Sequence, residues 1–173
     1  MSAPAPVVSN SGPLIVLAKL NVLHLLKLLY GRVHIPQSVY NEVVVEGMRQ
    51  GYEDAERLQL FLDQMGWRPE EVELATIPSD LWELALDQGE RDTLALAQAI
   101  GDALVLMDES VGREAARDRG LAARGSLGVL IEAYRRGFIE ADQLRLYFEE
   151  IAHRRDIWIN AELVERLARE VFG

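Results

Sequence analysis

The sequence predicts an α/β fold, with a central parallel sheet covered by helices on both faces. Three observations predict it. Ala103 to Met107 is a continuous apolar run, too short for a helix and suited to a strand buried on both faces. Val7 and Val8, after Pro4 and Pro6, make a second short apolar run. Around these runs lie stretches of helical periodicity, and strands alternating with helices are the pattern of a parallel sheet. One domain over residues 1–173 is expected, with a core over about 6–137 and a helical appendage over about 140–172.

From the N-terminus, Ser9-Asn10-Ser11-Gly12-Pro13 is turn chemistry, with Pro13 suited to the first turn of a helix whose pattern begins at Leu14 to Leu17. A second helix is expected over Leu23 to Tyr30, stopped by Gly31. Arg32 to Ile35 reads as a short strand, and Pro36 opens the helix that carries Glu42. Tyr52 to Met65 is amphipathic, with acids in its first turn where the helix dipole favours them. Val72 to Ile77 is a candidate strand, Pro78-Ser79-Asp80 starts a helix, and Gly89-Glu90 starts another running through Ala99. Beyond Met107, a helix over Val111 to Arg119 ends at Gly120, and Leu121 to Ala123 is a further short strand. Gly125-Ser126-Leu127-Gly128 turns into a helix over Val129 to Arg136, and two more helices cover about Ala141 to His153 and Ala161 to Val171.

Composition removes several classes of function. Without Cys there are no disulfides and no thiolate metal sites, and three His do not suggest an imidazole-rich zinc site. No apolar run reaches the ~18 residues needed to cross a bilayer. The N-terminal MSAPAPVVS lacks the basic residues and apolar core of a secretory signal, so a cytoplasmic location without membrane association is expected. A net charge of −10 argues against broad electrostatic binding to nucleic acid, although a local basic strip beside an acidic site is compatible with it. No glycine-rich phosphate loop follows the first strand, and SNSGP is a poor phosphate cradle, which disfavours a nucleotide-binding protein.

The chemistry that remains lies in acids at strand and helix ends. Parallel sheets form their sites beyond the carboxyl ends of the strands, and Asn10, Asp108 and Glu109 each follow an apolar strand. Asp108 and Glu109 also suit a helix cap and first turn, and Glu90 begins a helix where an acid is favourable in any case. Glu42, between Val39 and Val43, would ordinarily be a solvated mid-helix residue, and Asp92 faces away from Glu90. Ser11 can donate to a carboxylate or a phosphate. Arg113 and Arg117, four apart, can meet a phosphate together, while Arg113 can equally pair with Glu109. His24, His34 and His153 lack partners at metal-ligand spacing and read as structural.

Taken in order, VSNSGPLIVLAKL, IPQSVYNEV, GERDTLALA, LVLMDESVGREAARDRGL and GSLGVLIEAYRRG resemble the PIN-domain family, the nuclease fold of VapC-type toxins and RNA-processing enzymes. The similarity is to a PIN-like subfamily of bacteria and archaea and runs from about Val7 to Phe172. It implies a three-layer PIN-like fold with extra C-terminal helices. It also implies a toxin-like, Mg²⁺- or Mn²⁺-dependent ribonuclease holding one or two ions, with RNA as substrate, an antitoxin-like protein partner and homodimer formation. The four family acid positions fall on Asn10, Glu42, Glu90 and Asp108, with Glu109 an alternative or supplement to Asp108. On this resemblance Glu42, Glu90, Asp108 and Glu109 hold metal, Asn10 orients water or metal, and Ser11, Arg113 and Arg117 contact substrate. Asn10 departs from the usual Asp and removes one charge. The alternative it raises is a module that has lost hydrolysis and binds RNA or a protein partner. Pairing is further suggested by the leucine-rich helices from Leu14 to Leu29, whose leucines otherwise fill the core.

Overall fold

The computed structural model describes residues 4–173; the first three residues of the MSAPAPVVS stretch, judged above not to be a secretory signal, lie outside the described residues. Three short strands, β1 (Val7–Ser9), β2 (Leu104–Leu106) and β3 (Ala122–Arg124), pair in parallel in the order β1-β2-β3. Val7 lies opposite Leu104 and Ser9 opposite Leu106, while Leu104 lies opposite Ala122 and Leu106 opposite Arg124. Side chains alternate across the sheet, so the apolar runs feed two cores. Val7 and Leu106 join one; Val8, Val105 and Met107 join the other. Helices cover each face, which makes three layers.

The helices are α1 (Ser11–Lys19), α2 (His24–Tyr30), α3 (Gln37–Tyr40), α4 (Gly47–Arg49), α5 (Glu53–Met65), α6 (Gln88–Ile100), α7 (Ser110–Asp118), α8 (Ser126–Arg135), α9 (Ala141–His153) and α10 (Ala161–Phe172). Between α3 and α4 the chain stays helical as a π segment, Asn41–Glu46, which carries Glu42. Gly31 closes α2 at φ 73°, the left-handed conformation that glycine adopts without strain.

Two expected strands are not formed. Arg32 to Ile35 makes one parallel bridge, Val8 to His34, closed by Ser9 N to His34 O at 3.0 Å and His34 N to Val7 O at 2.7 Å. Pro36, which has no N–H to donate, ends that pairing. The stretch Val72 to Ile77 is a 3₁₀ turn over Leu74–Thr76, in which the Thr76 hydroxyl bonds back to the Glu73 carbonyl at 2.7 Å. Pairing with the segment near Pro36 falls instead to Glu70. The helix expected after Pro78 is likewise a 3₁₀ segment, Ser79–Glu83, that buries Leu81.

The first core gathers Leu14, Leu17, Leu25, Leu26 and Leu29 from α1 and α2, and Leu28 alone of the α2 leucines is strongly exposed. The apolar surface from which pairing was expected is therefore spent inside the chain. Leu144, Phe148 and Ile151 of α9 and Val164 of α10 join the same core. Among the described residues no helix is long and apolar enough to cross a membrane.

Candidate functional site

The carboxyl ends of the strands bring distant residues together. The Asn10 N–H donates to Leu106 O at 2.9 Å, extending the β1–β2 ladder one step past the strand, so Asn10 sits buried beside the end of β2. It occupies the N-cap position of α1 but its side chain makes no capping bond. Met107 N donates to Arg124 O at 2.9 Å, and Asp108 follows directly. Asp108 does not cap the helix after it. The residue at that N-cap is Glu109, again without a side-chain bond. The Asp108 carboxylate instead reaches the start of α8, where Ser126 donates its N–H to Oδ1 and its hydroxyl to Oδ2, both at 2.7 Å. A helix N-terminus favours an acceptor carrying negative charge. Two glycines make room for it: a Cβ on Gly12 would stand 2.9 Å from Oδ2, and one on Gly125 2.9 Å from Oδ1.

A second group forms around α6. The Ser11 hydroxyl donates to Glu42 Oε2 at 2.5 Å. A Cβ on Gly89 would lie 3.2 Å from Asn10 Oδ1 and 3.4 Å from Glu42 Oε2, so both oxygens converge on the first turn of α6. Glu90 is buried there in a capping box: Asp87 N donates to its Oε2 at 2.9 Å, and its own N–H donates to Asp87 Oδ1 at 2.8 Å. The helix-start role that the sequence suggested is thus real. Asp92 is buried too, accepting from the Ser38 hydroxyl at 2.6 Å.

Burial and charge act together on these acids. Burial pushes the Glu90 carboxyl above its usual value; the Asp87 N–H opposes, and the charges of Asp87, Glu109 and Glu42 add to the rise. Burial also raises Asp108, against the two Ser126 hydrogen bonds and the positive charge of Arg113. The Arg113 guanidinium bonds to the carbonyls of Asp108 and Met107, not to the Glu109 carboxylate. Arg117 is exposed on the same helix.

The structure therefore brings Asn10, Ser11 and Glu42 together over Gly89, and Asp108 with Arg113 and Ser126. It does not draw the expected ligands Glu42, Glu90, Asp108 and Glu109 into one cluster. Among the described residues no group of three or more His, Cys, Asp or Glu is close enough to hold a metal ion. Like charges repel by roughly 4 kcal/mol at 4 Å and an effective dielectric near 20, and Glu42, Glu90 and Asp108 each accept from a neutral donor instead. In kind, the donors fit a hard cation: carboxylates and one amide oxygen, with no sulfur or imidazole.

Beside Asp108 and Glu109 opens a cleft of about 950 Å³, walled by α7, the start of α8 and α10, with Arg113, Arg117, Arg124, Arg166, Arg169 and Trp158 along it. Only Arg113 and Arg117 were expected here. Ser126 had read as turn chemistry, and no spacing in the sequence ties it to an acid eighteen residues earlier. For Trp158 a signal did exist, since it stands between two isoleucines in the linker before α10. The family model described as a PIN domain matches residues 6–172. No curated protein and no solved structure matches the chain. A match over nearly the whole length, on a parallel sheet with its acids at the strand ends, means that the chain belongs to the PIN-domain family, a family of nuclease-type modules.

Proposed function

We propose that the chain is a Mg²⁺- or Mn²⁺-dependent ribonuclease whose site is the sheet edge bearing Asn10, Glu42, Glu90 and Asp108. The observation that carries this is the convergence of Asn10 Oδ1 and Glu42 Oε2 on Gly89, with the Asp108 carboxylate set between Gly12 and Gly125. Glycines at these points leave space that oxygen atoms use. Glu42, Glu90 and Asp108 would hold the cation, with Glu109 beside them and Asn10 supplying a neutral oxygen. A bound divalent ion supplies an activated water and offsets charge on the scissile phosphate. The chain's own residues do the rest. Ser11 orients Glu42, Ser126 fixes Asp108, and Arg113, anchored on the strand-end carbonyls, keeps positive charge next to Asp108. Arg117 is free to meet the substrate's phosphates. Glu42→Gln tests the proposal, because this side chain is exposed and its loss costs the fold little. Purified protein with Mn²⁺ should cut single-stranded RNA, and the variant should cut at least about 100-fold more slowly, as for loss of a group that stabilises transition-state charge. Equal cleavage by the two proteins would remove the site.

A second reading is favoured by one observation: among the described residues no three acids are grouped as a metal ion would need, and an amide stands at the first acid position. On that reading the module binds RNA or a protein partner, such as an antitoxin-like chain, and does not hydrolyse. Asn10→Asp separates the two: activity gained shows a site short of one ligand, and continued inactivity with intact RNA binding shows a binding module. Homodimer formation, if it occurs, must use a surface other than the buried leucines of α1 and α2.

A further inference from the structure

The geometry points to the cleft between α7–α8 and α10 as the track of a single-stranded RNA leading to Asp108, with Trp158 as a base-stacking platform at its rim. The inference rests on the proposed ribonuclease reading and goes beyond it, by placing the substrate on residues of the C-terminal helices.

Charge is the first support. The chain has 28 acids and 18 basic residues, so a guanidinium has no shortage of possible partners. Among the described residues Arg49, Arg57, Arg119, Arg145 and Arg154 all form ion pairs. None of these lines the cleft, and none of the five cleft arginines forms an ion pair among the described residues, although Glu109, Glu162 and Glu165 line the same walls. Arg113 and Arg124 are spent partly on the carbonyls of Met107 and Asp108 and on the Tyr30 hydroxyl. Arg117, Arg166 and Arg169 are exposed. A row of guanidiniums ending at an acidic site suits a phosphate backbone, to which each arginine can offer a fork of donors.

Trp158 is the second support. Its indole is 92% exposed, the highest value among the large apolar residues. The linker that presents it is pinned. Ile157 is buried, Arg154 Nη2 holds Asp156 Oδ2 at 2.7 Å, and Lys19 of α1 donates to Asp156 O at 2.6 Å. Arg154 also donates to Lys19 O at 3.0 Å. A flat aromatic face held out of the protein by a fixed linker is suited to stacking on an unpaired base, and any base serves. An acidic peptide would use the arginines but leave the indole uncovered. A duplex would keep its bases stacked away from it.

The test is binding of a fluorescently labelled twelve-nucleotide single-stranded RNA to the full chain in EDTA, read by anisotropy. Trp158→Ala should weaken binding about ten-fold through loss of one stacked base, and Trp158→Phe should restore most of it. Arg166→Ala with Arg169→Ala should weaken binding and lower the slope of log K against log salt by roughly 1.4, at about 0.7 per phosphate on a single strand. Arg49→Ala, outside the cleft, should bind as the parent does. All four residues are exposed, so circular dichroism should show folded variants. Parent-like binding by Trp158→Ala and the double arginine variant overturns the inference, as does the absence of RNA binding or stronger displacement by poly-glutamate than by unlabelled RNA. RNA cleaved with Mn²⁺ by a chain whose cleft variants bind normally would leave the ribonuclease and remove the track. RNA bound through Trp158, Arg166 and Arg169 but never cleaved would leave the track and remove the ribonuclease.

Discussion

Asp108 is held by groups that do not titrate, and this sets what its neighbours contribute. Ser126→Ala removes the donor to Oδ2 and leaves a partly buried carboxylate oxygen unmatched. The expected loss is about 1–3 kcal/mol, a fall in Tm of roughly 2–12 °C for a chain of this size, which calorimetry would show. An unchanged Tm would mean that the hydroxyl carries little of the load. Glu90 behaves in the opposite sense. Its folded carboxyl lies above the ordinary value of 4.5, so the stability gained from holding that proton is full below pH 4.5 and is lost as pH rises through the raised folded value. Once ionised, the carboxylate is buried and repelled by Asp87, Glu109 and Glu42. Glu90→Gln keeps an oxygen for the Asp87 N–H without the charge. Its Tm should match or exceed that of the parent at pH 7, with the difference shrinking below pH 4.5, while cleavage falls. A lower Tm at pH 7 would show that the capping contact outweighs the repulsion.

At the level of elements, the linker between α9 and α10 owes its order to one ionic clamp. The Arg154 hydrogen bonds, together with Lys19, hold the Asp156 carboxyl down at about 2. A lowered acid contributes above its unfolded value of 3.8 and loses that contribution as pH falls through about 2. Asp156→Asn should speed amide hydrogen exchange over 154–160 at neutral pH with little change in Tm, because the pair lies at the surface. Exchange rates equal to the parent's would show that buried Ile157 alone fixes the linker. The elements also show where sequence patterns suffice. β1 and β2 were legible because Val7, Val8 and Leu104 to Leu106 feed the cores on both faces of the sheet and so stand out as short apolar runs. The bridge at His34 and the turn at Leu74–Thr76 were not, because a proline that cannot donate and a threonine that bonds backward decide them, and an apolar count registers neither. The proposed site residues Asn10, Glu42, Glu90 and Asp108 were picked out by their order along the chain. Their supports, Ser126 and the glycines at 12, 89 and 125, were hidden because each meets its acid only across the fold.

For the whole molecule, the proposed cation site at Glu42, Glu90 and Asp108 would couple folding to cation binding. Anything that binds the folded state alone stabilises it by RT ln(1 + [L]/Kd), about 2.7 kcal/mol at one hundred times Kd. Mn²⁺ in that excess should raise Tm by roughly 5–11 °C, Ca²⁺ should do less, and Glu42→Gln should blunt the response. A Tm that ignores Mn²⁺ up to millimolar concentrations would mean that these acids do not bind a cation.

The neighbours of Asp108 have one more consequence. Gly12 follows β1, Asp108 follows β2, and Gly125 with Ser126 follow β3, so a single carboxylate is enclosed by the ends of all three strands. These segments leave the ribosome far apart in time. A nascent chain that has not yet reached Ser126 lacks the donors for Asp108, and because the strands are parallel it cannot borrow them from a local hairpin. On the proposed activity, the protein is harmless while it is being made, next to the messenger and ribosomal RNA around it. A fragment ending before β3 should be inert, however well its first two strands pair.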